Sequence, residues 1–444
     1  MSDKPRSYPV LLIHGYSADG ASFRPWRARL ERAGFEARTL KVATWKSLTN
    51  ELSLADVAEA FARALAEESG LSAGEPFSVI AHSTGSLIVR AWLAADPSRR
   101  ARVRHFIGLA PANFGSPLAH KGRSFLGALV MGNREFNADF LEVGDRVLDA
   151  LELGSRYTWD LAERDLLRVD GGWYGEGAGD GTPWSYVICG TGSYGWVQRL
   201  VADPDGSDGV VRWAGSALDV RKVTVNLTRK GTSGGEVQVD GDRPTDIPMA
   251  FVAKRNHGAM LSQPTGDLER MVIEALRVRT PAHDADWRAR WCAKHRPSSR
   301  DIWQQFVIRV RDERGDAVPD FNVQLEASYE SGETETLADF ASDVHVWKSD
   351  PSFRAFHVRL QDVRRTRIRG LRLRVLARTN TRAVGYRGVG SDRADGWDGA
   401  LDISALGPKG RTTLFHPFTT TLVEIVLDRE PRPYSGRNEV FWFG

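Results

Sequence analysis

The sequence has few cysteines, no long apolar run and almost no excess of charge of one sign. Its two cysteines, Cys189 and Cys292, exclude a disulfide framework, although one bridge between them stays open. No stretch approaches the roughly 18 apolar residues that span a bilayer, so the sequence predicts no transmembrane helix. The net charge of +3 gives no reason to expect a nucleic acid as a partner.

The length and composition are those of a globular protein. A chain of 444 residues predicts two or three domains, since domains commonly hold about 100–200 residues. The apolar run Pro9–Ile13 near the start of the chain is too short for the core of a signal peptide. We therefore expect a soluble cytoplasmic protein, a mature form that has lost its signal, or a protein exported without a signal.

Residues 1–285 alternate strand-like and helix-like segments. The apolar runs Tyr8–Ile13 and Phe77–Ala81 are typical of strands, whereas Ser53–Ser69 repeats its apolar residues every three or four positions, as an amphipathic helix does. This alternation predicts an α/β domain with a mostly parallel sheet and helices on both faces. The same pattern predicts further strands at Phe35–Lys41, His105–Ala110, Trp184–Cys189 and Pro248–Val252, and further helices at Ser22–Ala33, Ser86–Leu93 and Gln263–Leu276.

The alternation breaks between residues 116 and 183. Helical segments at Phe125–Val130, Phe140–Leu153 and Tyr157–Leu167 precede a glycine-rich stretch. Residues 116–183 together are far longer than an ordinary connection between strands, so we interpret them as a cap inserted over the sheet. Its apolar residues suit a mobile lid that gates the access of lipid esters, and they suit a static cap equally well.

The pattern changes again after a charged linker at residues 286–300. From residue 301 to residue 444, short segments alternate apolar and polar residues with turn signals between them. This pattern is typical of an antiparallel β-sandwich, so the sequence predicts a second, all-β domain. Its strand-like segments are Phe306–Val310, Val323–Ala327, Phe356–Leu360, Leu371–Ala377 and Leu422–Leu427.

Ser83 lies where a predicted strand turns directly into a predicted helix. This is the context in which a serine becomes an exposed nucleophile. Such a strained turn requires small residues two positions away on either side, and Ala81 and Gly85 meet this requirement. The amides at the start of the following helix favour the negative charge that develops during attack on a carbonyl group.

Two other motifs match known patterns only outside the required context. The segment Gly231–Gly235 matches the serine motif, but it lies between strand-like runs, so we predict a hairpin turn around Ser233. The segment Gly190–Gly195 matches a dinucleotide-binding pattern, yet it lacks a good following helix and an acid at the end of the next strand. No cluster of ligands has zinc spacing. We therefore expect no cofactor and no metal, although a calcium site on loops stays open.

The end of the first strand supplies candidates for an oxyanion hole. His14 and Gly15 follow this strand directly, and such a pair commonly opens a loop whose amide points at the nucleophile. The backbone amides of Tyr16 and Thr84 would then bind the tetrahedral oxyanion. The alternative is that Gly15 only connects the strand to the loop and has no part in an oxyanion hole.

The base and the acid follow the serine in the chain. His257 lies on the loop after the last predicted strand, in a context that fits an exposed turn. Where a serine lies between a strand and a helix of such a sheet, the histidine base belongs on this loop. The acid must precede it, and Asp208 stands out because a turn glycine and a buried valine pair follow it. It would orient His257 and stabilise the imidazolium. Asp205 is the second choice, and Asp203 and Asp219 are further candidates.

Together these motifs resemble bacterial lipases and esterases of the α/β-hydrolase fold, above all those with an Ala-His-Ser-x-Gly elbow. The resemblance covers roughly residues 8–280 and departs from the family at Ser86, where many lipases have glycine, and at a hairpin-like insertion near residues 222–240. It implies a serine esterase that acts through an acyl-enzyme. The residues that carry it are His14, Gly15, Ala81–Gly85, Ala110–Pro117, Asp208–Val211 and the pair His257 and Gly258.

We therefore expect a hydrolase of carboxylic esters, and lipid-like esters above all, because the apolar cap suits long acyl chains. An acyltransferase, thioesterase or amidase that uses the same residues is the alternative, followed by a binding protein without catalysis. The β-domain or the cap would contact a lipid or another surface. Most arginines between Arg364 and Arg374 alternate with apolar residues, so we predict one solvated strand face rather than a site for acidic lipids.

Overall fold

The computed structural model describes two compact units, and each is described by itself. The first unit comprises Met1–Val220 and Arg243–Ser298, and the second comprises Arg221–Asp242 and Ser299–Gly444. The residues described are 7–14, 20–40, 52–119, 145–167, 174, 181–194, 205–229, 235–240, 246–363, 368–381, 383–389, 391–393, 396–407 and 413–431.

A six-stranded parallel sheet forms the centre of the first unit. In space its strands run in the order second, first, third, fourth, fifth, eighth, and every neighbouring pair is parallel. The sixth and seventh strands belong to a sheet of the second unit. In chain order the strands are β1 (Val10–Ile13), β2 (Ala37–Leu40), β3 (Phe77–His82), β4 (Val103–Leu109), β5 (Trp184–Gly190), β6 (Val220–Asn226), β7 (Glu236–Asp240) and β8 (Met249–Val252).

Helices cover both faces of this sheet. On one face, Trp26 and Leu30 share an apolar core with Ile80 and Ile107 of the sheet. On the other face, Trp92 packs edge-on against Phe61 with ring centroids 5.3 Å apart. The predicted α/β fold is therefore confirmed. The helices of this unit are α1 (Arg24–Arg32), α2 (Leu54–Glu67), α3 (Gly85–Ala95), α4 (Asp145–Leu151), α5 (Arg156–Asp165), α6 (Trp213–Ser216), α7 (His257–Ser262), α8 (Asp267–Ala275) and α9 (Pro281–Trp291).

The start of the predicted linker at residues 286–300 is instead part of the first unit. Helix α9 continues to Trp291, and both Trp287 and Trp291 are buried in the core of the parallel sheet. The indole of Trp287 donates a hydrogen bond to the Met271 carbonyl at 2.9 Å. Charged residues occupy the exposed side of α9, and they make this segment resemble a linker in the sequence. Trp287 and Trp291 lie four residues apart and therefore share one helix face.

The described part of the inserted stretch is tied to the domain by a buried ion pair. Arg90 of α3 donates to both carboxylate oxygens of Asp165, at the end of α5, over 2.8 and 2.9 Å. Both side chains are fully buried. The hydroxyl of Tyr174 also donates to Asp165 at 3.1 Å. Helices α4 and α5 match two predicted helices, whereas the predicted helix Phe125–Val130 lies outside the described residues.

Two β-sheets form the second unit and enclose one apolar core. Phe306 and Ile308 from one sheet meet Leu325 and Leu373 from the other, as expected of a sandwich. The unit's remaining elements are β9 (Trp303–Asp312), β10 (Phe321–Tyr329), β11 (Thr334–Thr336), β12 (Val344–Val346), β13 (Phe353–Arg359), α10 (Leu360–Val363), β14 (Ile368–Ala377), β15 (Val384–Arg387), β16 (Ser391–Arg393), β17 (Gly396–Asp402) and β18 (Thr420–Pro431).

The sandwich departs from the predicted antiparallel, continuous domain in two ways. Strand β18 pairs with β9 in parallel, which is possible because the long chain between them provides a crossover that a hairpin cannot. The antiparallel hairpin of β6 and β7 joins the same sheet beside β18. Residues 221–242 therefore count with the second unit although they lie within the sequence of the first.

The predicted arginine-rich strand is β14. Arg369 and Arg372 are exposed, whereas Arg374 donates to both carboxylate oxygens of Asp398 on β17, at 2.9 and 2.6 Å. Arg364 and Arg365 lie outside the described residues. Among the helices that the structure describes, none combines the length and the apolar character that crossing a membrane requires.

Candidate active site

Ser83 occupies a strained turn between β3 and α3. Its φ of 54° lies in the left-handed region, which residues other than glycine rarely adopt. The Ser83 amide donates to the Leu109 carbonyl at 3.1 Å, and the Ser83 carbonyl accepts from the Ala112 amide at 3.2 Å. These bonds to the end of β4 and to the loop after it hold the turn in place, with Ser83 half-buried.

Gly85 allows α3, the helix that follows Ser83, to approach β1. A Cβ atom at this position would lie 2.7 Å from the Ile13 carbonyl oxygen and 3.0 Å from that of His14. Both obstacles are backbone atoms, which cannot move aside as a flexible side chain can. The sequence predicted a small residue here because of the tight turn, and the structure adds this close approach as a reason.

His257 and Asp208 form a buried hydrogen-bonded pair. The Nδ1 atom of His257 lies 2.8 Å from Oδ2 of Asp208. The other carboxylate oxygen accepts hydrogen bonds from the amides of Val210 and Val211, at 3.0 and 2.8 Å. Because the carboxylate is thereby held by backbone donors, its Oδ2 atom is aimed at the imidazole and places the ring proton on Nδ1.

The expectation that His257 lies in an exposed turn is wrong. The residue is fully buried and begins α7, which the side chain of Asn256 caps by accepting from the Ala259 amide at 2.9 Å. Met260 and Leu261 are buried as well. Residues three and four positions apart share one helix face, and so His257 points inward with them.

The Nε2 atom of His257, which does not face Asp208, can accept a proton. Its Nε2 atom is buried and has no hydrogen-bond partner among the residues that the structure describes. With the proton on Nδ1, Nε2 carries a lone pair. The ring of His257 also lies against that of His82, the residue before Ser83, with centroids 4.7 Å apart. His257 thus lies beside the turn that carries Ser83.

His82 makes a contact that the sequence does not predict, because the sequence marks this residue only as part of the motif around Ser83. Its Nε2 atom lies 3.2 Å from the backbone carbonyl oxygen of His257. Complete burial, with smaller effects from His257 and His14, lowers the pKa of His82 from 6.5 to about 3. No pattern in the chain could have revealed this contact, since 175 residues separate the two histidines.

Two solved structures match nearly the whole chain. Phospholipase PlaB from Legionella pneumophila matches with a TM-score of 0.75 and 21% identity, over 98% of this chain and 97% of that one. The chain has the α/β-hydrolase fold with a C-terminal β-domain. A second structure of the same phospholipase, in complex with thio-NAD, matches with a TM-score of 0.73 and 20% identity, over 97% of each chain.

A third solved structure is similar to a smaller part of this chain. The mature lipase BlEst2 from Bacillus licheniformis matches with a TM-score of 0.38 and 14% identity, over 62% of this chain and 94% of that one. No protein-family model matches the sequence, and no curated protein matches it either.

The predicted oxyanion residues lie only partly within the described structure. Thr84 is buried and is the residue from which α3 starts, so its amide is one of those that an α-helix leaves without an internal acceptor. His14 is buried at the end of β1, and Ala81 is buried in β3. Gly15 and Tyr16 lie outside the described residues.

The structure describes two of the other candidate acids. Asp205 is exposed. Asp219 accepts a hydrogen bond from the Ile247 amide at 2.9 Å. Asp203 lies outside the described residues. Of the acids that the structure describes, Asp208 is therefore the one that meets the predicted base.

The glycines of the segment that matches a dinucleotide-binding pattern have a structural explanation. A Cβ atom on Gly190 would lie 2.1 Å from the Arg255 carbonyl oxygen, which in turn accepts from the Gly192 amide at 2.7 Å. These glycines thus let the loop before His257 approach β5. Ser233 and the turn predicted around it lie outside the described residues, and β6 and β7 on either side pair in antiparallel orientation.

Both cysteines are free, so they form no bridge. Burial, together with the nearby charge of Asp208, raises the pKa of the Cys189 thiol well above its usual range. This thiol is therefore neutral and is a packing residue rather than a nucleophile. Within the described ranges, no group of three or more His, Cys, Asp or Glu side chains is arranged to hold a metal ion.

Proposed function

We propose that this protein is a serine hydrolase of carboxylic esters, with Ser83 as nucleophile, His257 as base and Asp208 as the acid that orients it. The observation that carries the proposal is the 2.8 Å contact between His257 Nδ1 and Asp208 Oδ2. It leaves the Nε2 atom of the same ring without a partner among the described residues, next to an elbow whose serine has a φ of 54°.

The reaction proceeds through an acyl-enzyme. The Ser83 hydroxyl transfers its proton to Nε2 of His257 while Oγ bonds to the ester carbonyl carbon. The imidazolium then gives that proton to the departing alkoxide, and the C–O bond of the ester breaks. A water molecule repeats the sequence on the acyl-enzyme, and Ser83 recovers its proton through His257. Asp208 stays ionised and stabilises the imidazolium in both halves.

The oxyanion of the tetrahedral intermediate needs backbone donors. We assign this role to the amide of Thr84, which lies at the start of α3, and to the amide of Tyr16. The partial positive charge at a helix N-terminus supports the assignment of Thr84. Loss of one such donor typically lowers turnover by on the order of 10²- to 10³-fold.

We propose lipid esters, and phospholipids among them, as the substrate class. The likeness to a phospholipase extends over 98% of this chain and includes the β-domain. The inserted stretch between residues 116 and 183 is rich in apolar residues, which suits a substrate with long acyl chains. We place the cap or the β-domain against the lipid surface.

A fluorophosphonate probe tests the nucleophile. We expect the native protein to be labelled at one serine and Ser83→Ala to lose the label, whereas Ser331→Ala, at an exposed position of the β-domain, keeps it. Equal labelling of Ser83→Ala and native protein would refute the assignment.

The substrate class requires a separate measurement. We expect the rate of hydrolysis of p-nitrophenyl esters to rise with acyl chain length, and phosphatidylcholine vesicles to release fatty acid. Activity confined to short chains, with no response to micelles or vesicles, would overturn the lipid assignment but keep the serine hydrolase. Preferred transfer of the acyl group to an added alcohol, amine or thiol instead of water would indicate an acyltransferase.

A further inference from the structure

We propose that His82 is a positioning residue for the base, which holds the main chain of His257 through its Nε2–H group. The proposal rests on the proposed function, since it concerns the same base. His82 directly precedes Ser83, and the role proposed for it is separate from forming the turn at Ser83.

Three hydrogen bonds fix His257 from two directions. Its amide donates to the backbone carbonyl of Asp208 at 3.0 Å, and its Nδ1 donates to the carboxylate of the same residue at 2.8 Å. Its own carbonyl accepts from His82 at 3.2 Å. The first two bonds bind the base to the acid, whereas the third binds it to the chain that carries Ser83. His82 therefore links the base to the nucleophile.

The partner of His82 determines which of its nitrogens carries the proton. A carbonyl oxygen only accepts, so Nε2 must be the donor. The Nδ1 atom of His82 is buried and has no partner among the described residues, so a second proton there would gain no hydrogen bond. Burial also lowers the pKa of this ring to about 3. His82 is thus a neutral donor across the pH range in which esterases work.

The neutral state matters because the two rings are in contact. Their centroids are 4.7 Å apart with an interplanar angle of 50°. During catalysis His257 becomes positively charged, and a charged neighbour at this distance would oppose that step through direct repulsion. A neutral imidazole instead supplies a donor, a ring surface and no charge. Lysine or arginine at position 82 would bring a charge next to His257, and phenylalanine would bring no donor.

Two substitutions separate the donor from the ring. His82→Phe keeps an aromatic ring against His257 but removes the Nε2–H group. His82→Gln removes the ring but places an amide NH₂ near the same point. His283→Phe, at an exposed position on α9, is the matched control. The native protein and the three variants are compared as full-length chains at equal folded concentration, as judged by thermal unfolding.

We expect His82→Phe to lower kcat for a p-nitrophenyl ester by on the order of 10- to 100-fold, because small misplacements of catalytic groups have effects of this size. KM should not change, since His82 is buried and acts through His257. His82→Gln should recover most of the lost kcat. The rate of fluorophosphonate labelling of Ser83 should follow kcat in every variant, because labelling needs the same base.

Two outcomes would overturn the proposal while leaving the serine hydrolase intact. In one, His82→Phe and native enzyme have equal kcat, although Ser83→Ala is inactive. In the other, both variants at position 82 lose activity in proportion to their loss of thermal stability, which indicates packing alone.

A spectroscopic measurement tests the contact without any substrate. In protein labelled with ¹⁵N-histidine, we expect the His82 ring, identified by its loss in His82→Gln, to be neutral and protonated at Nε2 from pH 5 to pH 9. A ring protonated at Nδ1, or charged in this range, would refute the contact. Absence of labelling and hydrolysis in native protein would instead refute the proposed function.

Discussion

His257 is bound to Asp208 twice, once through its side chain and once through its main chain. The Nδ1 atom lies 2.8 Å from the carboxylate, and the amide lies 3.0 Å from the carbonyl oxygen of the same residue. Rotation of either residue alone would break one of these bonds. The pair therefore behaves as a unit, and its geometry depends on contacts between two segments that are 49 residues apart in the chain.

Asp208→Asn should abolish most of the activity without unfolding the protein. An amide at this position no longer stabilises the imidazolium and can favour the wrong tautomer of His257. We expect kcat to fall by on the order of 10⁴-fold, measured with a p-nitrophenyl ester. Asp205→Asn, at an exposed position three residues away, should remain near the native value, and a similar loss in both variants would contradict the assignment of the acid.

Gly85→Ala should destabilise the first unit and lower activity. The added methyl group would meet the backbone oxygens of Ile13 and His14 at 2.7 and 3.0 Å, and overpacking of this kind costs about 1–3 kcal/mol. Urea unfolding measures the loss. Gly332→Ala is the control, because its φ of 85° is strained for alanine but no atom lies within 4 Å of the added Cβ. A smaller effect at Gly85 than at Gly332 would argue against the clash.

The stability of the protein should fall as the pH falls below 6.5. Burial lowers the pKa of both His82 and His105 from 6.5 to about 3. Between these values the unfolded chain binds a proton that the folded chain does not, so acid favours unfolding. Each histidine should change the unfolding equilibrium by up to tenfold per pH unit in this window.

Urea unfolding between pH 4 and pH 8 measures this dependence. In the folded state the Nδ1 atom of His105 lies 2.7 Å from the Ser78 hydroxyl and its Nε2 atom lies 2.8 Å from the Val278 carbonyl oxygen. His105→Gln should therefore make the slope shallower, whereas His283→Gln at an exposed position should not change it. An unchanged slope in His105→Gln would show that His105 is protonated when folded.

Breaking the buried pair of Arg90 and Asp165 should destabilise the first unit strongly. Asp165→Asn leaves the fully buried guanidinium of Arg90 without its counter-charge, and such a change costs about 3–5 kcal/mol. The double variant Arg90→Met with Asp165→Leu should recover much of this loss because it leaves no unpaired charge. Thermal unfolding of Arg90→Met, Asp165→Leu and the double variant gives the coupling, and additive losses would contradict it.

The sequence by itself predicted the parallel sheet with helices on both faces and a β-domain after it. These features follow from local periodicity: apolar runs such as Phe77–Ala81 form buried strands, and Ser53–Ser69 repeats at the spacing of a helix. It also indicated Ser83, because a strand, a small-residue turn and a helix all adjoin one another in the chain. The structure confirms the fold that these patterns predict.

Only the tertiary structure decided what meets across long separations in the chain. It placed Trp287 and Trp291 in the first core instead of a linker, joined the hairpin of β6 and β7 to the second unit, and paired β18 with β9 in parallel. It buried His257 where an exposed turn was expected, and it brought His82 to that residue's carbonyl. Periodicity reports which face of an element is apolar, whereas the partner of that face depends on packing between segments that no local pattern connects.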